Sequence, residues 1–281
     1  LADEQVQGIP GTPIHRSPAW FVVDDGKKTL EPLNQHGNEL RALISFVVAD
    51  RFFIEDITQR LLAIGKTAAG FFSTPMGEAM LFISEADRDR TSLLIDIGYL
   101  NTDVMAVEGD AIIFHKTIPL GGGHISADLA YGLEVPLDSA EQIKRSYEFG
   151  PGSTKTSFDV TLSNGATETF SRDKVSEILL PRVDEICEAI VQAVKESSVR
   201  LGNWSLVYLT GGGLAINKGG KEYLSEKMER PVRELPRKAV KLSSAIYSSS
   251  LGLLDLIIDT KNSASASQSG LRGFLRGLLS G

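Results

Sequence analysis

The chain has 281 residues, which at roughly 150 per domain predicts about two compact units with a sizeable core. Its 29 Lys+Arg against 36 Asp+Glu give a formal net charge of −7, which excludes the broad cationic field that holds nucleic-acid backbones. Hydrophobic residues at 42% and charged ones at 23% exclude general disorder. Cys187 is the only cysteine, so an internal disulfide and a Cys-rich metal site are excluded and a reducing compartment is expected. No uncharged apolar run approaches the roughly 18 residues of a membrane span, and the start shows no basic-then-apolar signal. A soluble, cytosolic body is expected, and the initial Leu1 predicts a missing upstream segment.

Residues 9 to 19, with Pro10, Gly11, Pro13 and Pro18, read as an irregular lead-in. Trp20 to Val23 and Leu40 to Ala49 read as strands, and Ile54, Ile57, Leu61, Leu62 and Ile64 recur at helical spacing with Gly65 as a stop. A further helix is predicted from Ala68 to Met80, irregular around Pro75. Leu93 to Ile97, Val104 to Val107 and Ile112 to Ile118 form a three-strand meander that ends at Gly121-Gly122-Gly123. Helices follow over 125 to 149, then a hairpin over 157 to 170 turning at Asn164-Gly165, and one long amphipathic helix over 173 to 197. A buried strand from Leu206 to Leu209 enters Gly211-Gly212-Gly213. A helix from Gly219 to Met228, a strand at Val232-Arg233 and a helix from Ser243 to Ile258 close the folded part. Residues 260 to 270 have the composition of a flexible linker.

Three constellations carry chemistry. Asp96-Ile97-Gly98 ends a strand and Thr102-Asp103 begins the next, a turn that can aim amides at a phosphate and a carboxylate at magnesium; alone it also fits any hairpin. Thr210-Gly211-Gly212-Gly213 brings backbone close to whatever lies beside it, outside any dinucleotide or P-loop spacing. Glu141 and Lys144 lie three apart on one helix face, where an ordinary surface ion pair is the simplest expectation. His15, His36, His115 and His124 are scattered without metal spacing, and no Gly-x-Ser-x-Gly elbow occurs.

The order of these motifs resembles the FtsA cell-division family of the actin-like ATPase superfamily. Lys116 to Ile125, continuing through Asp128-Leu129-Ala130 to Ala140-Glu141-Gln142-Ile143-Lys144, is similar to that family's segment joining its two lobes. Leu209 to Gly213, Pro231-Val232-Arg233 and Tyr247 to Leu254 resemble later parts of it, and Pro18 to Gly65 resembles its inserted subdomain. The resemblance implies an α/β fold of actin-like, ribonuclease H-like lobes with an inserted α+β subdomain over residues 1 to 65 and a connecting helix over 66 to 92. The large lobe then covers 93 to 125 and 201 to 259, and the small lobe 126 to 200. It implies ATP with Mg2+, held by Asp96 (also the metal ligand), Gly98 and Thr102 at phosphate, Glu141 and Lys144 at ribose, and Gly211, Gly212 and Gly213 at adenosine. Activity is expected to be at most that of a weak ATPase.

Two departures are visible. The family's first phosphate turn, Asp-x-Gly-Thr/Ser, is expected upstream of residue 1. Its hairpin Asp-Ile-Gly-Gly-Gly-Thr-x-Asp here carries Tyr99, Leu100 and Asn101 in the middle, where bulky side chains narrow the cradle. The resemblance further implies self-association into filaments, a site on the small lobe for the C-terminal tail of FtsZ, with Lys174 and Arg182 among its basic groups, and attachment to the cytoplasmic face of the membrane. A small-molecule kinase of the same superfold and a nucleotide-free scaffold are the alternatives.

The tail supplies the lipid expectation directly. At about 100° per residue, Leu271, Phe274, Leu275, Leu278 and Leu279 share one arc, and Arg272, Gly273, Arg276, Gly277 and Ser280 fill the other side. Such a segment predicts a helix lying in an anionic interface.

Overall fold

A computed structural model of the chain describes residues 10–161, 165–236 and 244–266. The described residues divide into two compact units, one within 10–90, 107–113 and 249–266, the other within 91–106 and 114–248.

In the first unit, β1 (Thr12–Val23) pairs antiparallel with β2 (Leu40–Ala49), from Thr12 opposite Ala49 to Val23 opposite Leu40. The strand therefore begins inside the segment expected to be irregular. Its register breaks fall between Pro13 and His15 and between Pro18 and Trp20, so the missing proline N–H groups sit where the ladder is already interrupted. The helix α1 (Arg51–Ala63) starts where the Asp50 carboxylate accepts the Phe53 N–H at 3.0 Å.

The expected helix from Ala68 begins later, as α2 (Thr74–Phe82). Pro75 lies in its first turn, where the absent N–H has no partner to lose, and the Ser73 hydroxyl caps Met76. A short α3 (Glu85–Arg88) follows, which the sequence pattern did not announce. From Ser249 onward this unit also holds α8 (Ser248–Ala266), which continues through residues 260 to 266, where a flexible linker is expected. A helix nucleated upstream propagates readily through alanine, and the Thr260 hydroxyl bonds back to the Leu256 carbonyl at 2.7 Å. The amphipathic stretch 271 to 281 lies outside the described residues.

The second unit is organised on a five-stranded sheet in the order β5-β4-β3-β8-β9. Its strands are β3 (Ser92–Ile97), β4 (Thr102–Glu108), β5 (Ala111–Ile118), β8 (Val207–Thr210) and β9 (Val232–Glu234), with β3, β8 and β9 parallel. Leu93, Leu94, Ile95, Ile97, Val104, Met105, Ala106, Val207 and Leu209 are all at most 1% exposed, and burial of each such larger side chain stabilises by about 1.5–3 kcal/mol. A near-continuous apolar run is what a strand covered on both faces requires.

The helices α4 (Gly122–Leu133) and α5 (Leu137–Ser146) follow β5, and the hairpin β6 (Ser157–Thr161) with β7 (Thr167–Ser171) pairs Phe158 with Phe170 across the strands. The turn residues 162 to 164, and with them Asn164, lie outside the described residues. The long helix α6 (Arg172–Glu196) carries Pro181 in its interior and buries Val175, Leu179, Val183, Ile186 and Ile190. Cys187 is buried on it, its thiol pushed up to about 12 by desolvation and then by the Asp184 charge. A final helix, α7 (Gly220–Met228), precedes β9.

Candidate functional site

The parallel pairing of β3 with β8 sets Asp96 opposite Thr210, so the two glycine turns that the sequence separates by more than a hundred residues leave the sheet side by side. Gly211 has φ +89, and a Cβ there would come within 2.2 Å of Asp96 Oδ1 and 2.3 Å of the Ile97 carbonyl oxygen. Only a residue without a side chain allows the second turn this close to the first. The Gly213 N–H then donates to the Ile97 carbonyl at 2.7 Å.

The third turn joins them from β5. The Gly122 N–H donates to the Gly98 carbonyl at 2.9 Å and the Gly123 N–H to the Tyr99 carbonyl at 2.6 Å, so the start of α4 is bonded to the β3–β4 turn. A Cβ on Gly122 would lie 2.6 Å from the Cα of Gly213. Gly98, Gly122 and Gly213 thus meet backbone to backbone.

Thr102 is fully buried, and its hydroxyl donates to the Leu120 carbonyl at 2.8 Å. Thr210, equally buried, donates to the Ser248 hydroxyl at 2.8 Å. Asp103 faces β5, accepting from His115 Nε2 at 2.7 Å and Thr117 Oγ1 at 2.6 Å. Burial alone would raise its pKa, but those hydrogen bonds and the His115 charge hold it below the usual carboxylate range.

Glu141 and Lys144 do not form the surface pair that their spacing suggests. The Lys144 side chain is 2% exposed, with its ammonium 2.8 Å from Glu141 Oε2 and 3.3 Å from the Gly122 carbonyl. Burial pushes Lys144 below its ordinary pKa against the pull of Glu141. The Glu141 carboxyl, which burial would raise, is instead held low by Lys144, by the Ser126 hydroxyl at 2.5 Å and by Arg145 at 2.7 Å. The pair is a buried tie between α5 and the first turn of α4, and loss of one partner alone would strand the other's charge.

Two residues that no motif singles out, Ser126 and Asn217, complete the arrangement. Ser126 serves Glu141 from one turn into α4. Asn217, 6% exposed, donates to the Lys144 carbonyl at 2.7 Å and the Tyr147 carbonyl at 2.9 Å, capping the end of α5 from the loop after β8. Neither has a motif, because each is defined by a partner distant in sequence.

Of the expected peptide-binding cations, Arg182 is bidentate to Asp128 on α4, at 2.6 and 3.2 Å, and also bonds Glu185. Lys174 is exposed, its ammonium 5.4 Å from the Phe170 ring centre. Among the described residues no cluster of three or more His, Cys, Asp or Glu side chains is arranged to hold a metal, and no helix is long and apolar enough to cross a membrane.

Comparison with known proteins bears on this arrangement of turns. The family model described as cell division protein FtsA matches residues 93–252, more than half of the chain. The chain is 25% identical over 250 residues to the cell division protein FtsA of Pseudomonas aeruginosa, covering 86% of this chain and 60% of the relative. It is 24% identical over 243 residues to that of Neisseria meningitidis, covering 83% and 59%. The chain therefore spans about three fifths of the length of these curated relatives. Among solved structures, MreB5 of Spiroplasma citri bound to ADP superposes with a TM-score of 0.62 at 15% identity, over 79% of this chain and 69% of that one. The fold is that of the actin-like ATPases, a mixed α/β architecture as the motif order implies.

Proposed function

The chain belongs to the cell division protein FtsA family, and from that premise we propose that it acts as an actin-like adaptor that anchors the FtsZ ring to the cytoplasmic membrane and self-assembles there. The observation that carries this reading is the family match over residues 93–252, which takes in all three interlocked turns and the helix α6. The partner is the C-terminal tail of FtsZ, a short acidic and apolar peptide, docking on the small lobe within residues 126 to 200. Lys174 is its exposed cation; Arg182 is committed to Asp128 and serves to hold α6 against α4. Residues 271 to 281 supply the lipid-binding element, with Leu271, Phe274, Leu275, Leu278 and Leu279 facing the acyl chains and Arg272 and Arg276 the anionic headgroups. A segment of eleven residues with three glycines binds lipid weakly by itself, so firm attachment comes from several copies presented together by self-association.

Five of the glycine amides that the phosphates of a magnesium nucleotide, implied by the family resemblance, would use are already engaged within the chain. The amides of Gly98, Gly121, Gly122, Gly123 and Gly213 all donate within the chain, to Asn101 O, His124 Nδ1, Gly98 O, Tyr99 O and Ile97 O. Asp96, Gly98, Thr102, Glu141, Lys144, Gly211, Gly212 and Gly213 form the frame that locks the sheet ends to α4 and α5, and no step of the adaptor function is routed through a nucleotide.

Titration of a labelled FtsZ tail peptide against the whole chain tests the partner. Saturable binding that weakens with salt and with Lys174→Glu is expected; absence of saturable binding would remove FtsZ from the account.

A further inference from the structure

The cradle at the ends of β3 and β8 is built as an anion site would be, with convergent glycine turns, the first turn of a helix and a buried lysine. The Tyr99 side chain fills it. The Tyr99 ring lies directly on Gly123: a Cβ at that glycine would fall 2.8 Å from Tyr99 Cε1 and 2.9 Å from Cζ. The same ring is seated beside Lys144, whose ammonium is 5.7 Å from its centre, within reach of a cation–π attraction. Tyr99 also receives the Gly123 N–H on its carbonyl, so main chain and side chain together hold it against α4.

The Gly98, Gly121, Gly122, Gly123 and Gly213 amides and the Lys144 ammonium are all engaged within the chain. An incoming phosphate would have to break the Lys144–Glu141 contact, displace the ring from the ammonium and withdraw the Gly122 and Gly123 amides from the carbonyls of the β3–β4 turn. Those amides close α4 onto the turn, so anion capture here is coupled to loosening the fold. A glycine at position 99 would leave the space over Gly123 open and the lysine facing it.

We infer that Tyr99, packed on Gly123 and beside Lys144, is the chain's own occupant of this cradle, so that the chain keeps its fold without a nucleotide. The half-exposed ring is a plug rather than a core residue, since 49% of Tyr99 and 63% of Leu100 remain in contact with solvent. This inference stands apart from the proposed FtsZ and lipid contacts, and its test reads neither.

The test is calorimetric titration of the whole chain with Mg-ATP and with Mg-ADP, paired with thermal unfolding in millimolar nucleotide, for the wild type, Tyr99→Phe and Tyr99→Gly/Leu100→Gly. Circular dichroism establishes that each is folded. Wild type and Tyr99→Phe are expected to show no saturable binding and no shift in Tm, and the double glycine variant to gain saturable binding at least about tenfold tighter than the weakest the titration detects, with a raised Tm. Saturable binding by the wild type would overturn the inference. So would a folded glycine variant as unresponsive as the wild type, because Tyr99 would then not be what keeps the nucleotide out. Should the double variant fail to fold, Tyr99→Ala takes its place with the same two readings.

Discussion

Gly211→Ala isolates the close approach of the two glycine turns. At φ +89 the alanine would bear the left-handed backbone cost of about 1–2 kcal/mol. Its Cβ would also overlap Asp96 Oδ1 at 2.2 Å and the Ile97 carbonyl oxygen at 2.3 Å. The second is main chain in a buried strand, and it already accepts the Gly213 N–H, so relief means moving β3 or breaking that bond; such overpacking costs about 1–3 kcal/mol more. Gly150→Ala is the matched control, since Gly150 has φ +84 with nothing within 4 Å of its added Cβ. Both substitutions reduce unfolded-chain entropy alike, so the difference between them reads the steric cost alone. Urea unfolding followed by circular dichroism should show Gly211→Ala losing about 1–3 kcal/mol more than Gly150→Ala. Equal losses would refute the close approach of β8's turn to β3.

Asn217→Ala removes both donors that cap α5; the Lys144 carbonyl still accepts the Tyr147 N–H while the Tyr147 carbonyl loses its Asn217 donor, so a loss of about 1–3 kcal/mol is expected in the same assay, and a loss below about 0.5 kcal/mol would show that the cap is not holding α5. A pH effect is expected at the entrance to α2. The His15 ring accepts the Ser73 N–H at 2.9 Å, and desolvation lowers its pKa from the ordinary 6.5. A base with a lowered folded pKa contributes stability that is complete above 6.5 and is lost as pH falls from there through the folded value. Thermal unfolding across that window should show this loss in the wild type and a smaller one in His15→Gln, whose amide oxygen accepts without titrating; identical pH slopes would contradict it.

The sheet was legible because β3, β4 and β8 are apolar runs bounded by glycine turns, and a strand buried on both faces has few other sequences. The resemblance, too, rested on turns in a fixed order, which survive low identity because each needs residues without side chains. What stayed hidden follows from physics that a local pattern does not hold. Pro13 and Pro18 argue against a strand until β2 supplies a register whose breaks absorb them. Residues 260 to 266 have linker composition, yet a helix already formed upstream extends through them. Glu141 and Lys144 read as a surface pair because nothing in their own segment reveals that α4 covers the ammonium, and Asn217 is silent because its acceptors lie some seventy residues away. Tyr99 was visible as a bulky interruption; that its ring rests on Gly123 was not.

The adaptor reading is tested most directly by flotation of fluorescent FtsZ with phosphatidylglycerol-containing vesicles, in the presence of the intact chain or of one ending at Gly270. The account predicts that the intact chain carries FtsZ to the vesicles without added nucleotide and that the shortened chain binds FtsZ yet leaves it in solution. FtsZ that stays unbound with the intact chain, or floats equally well with the shortened one, would contradict it.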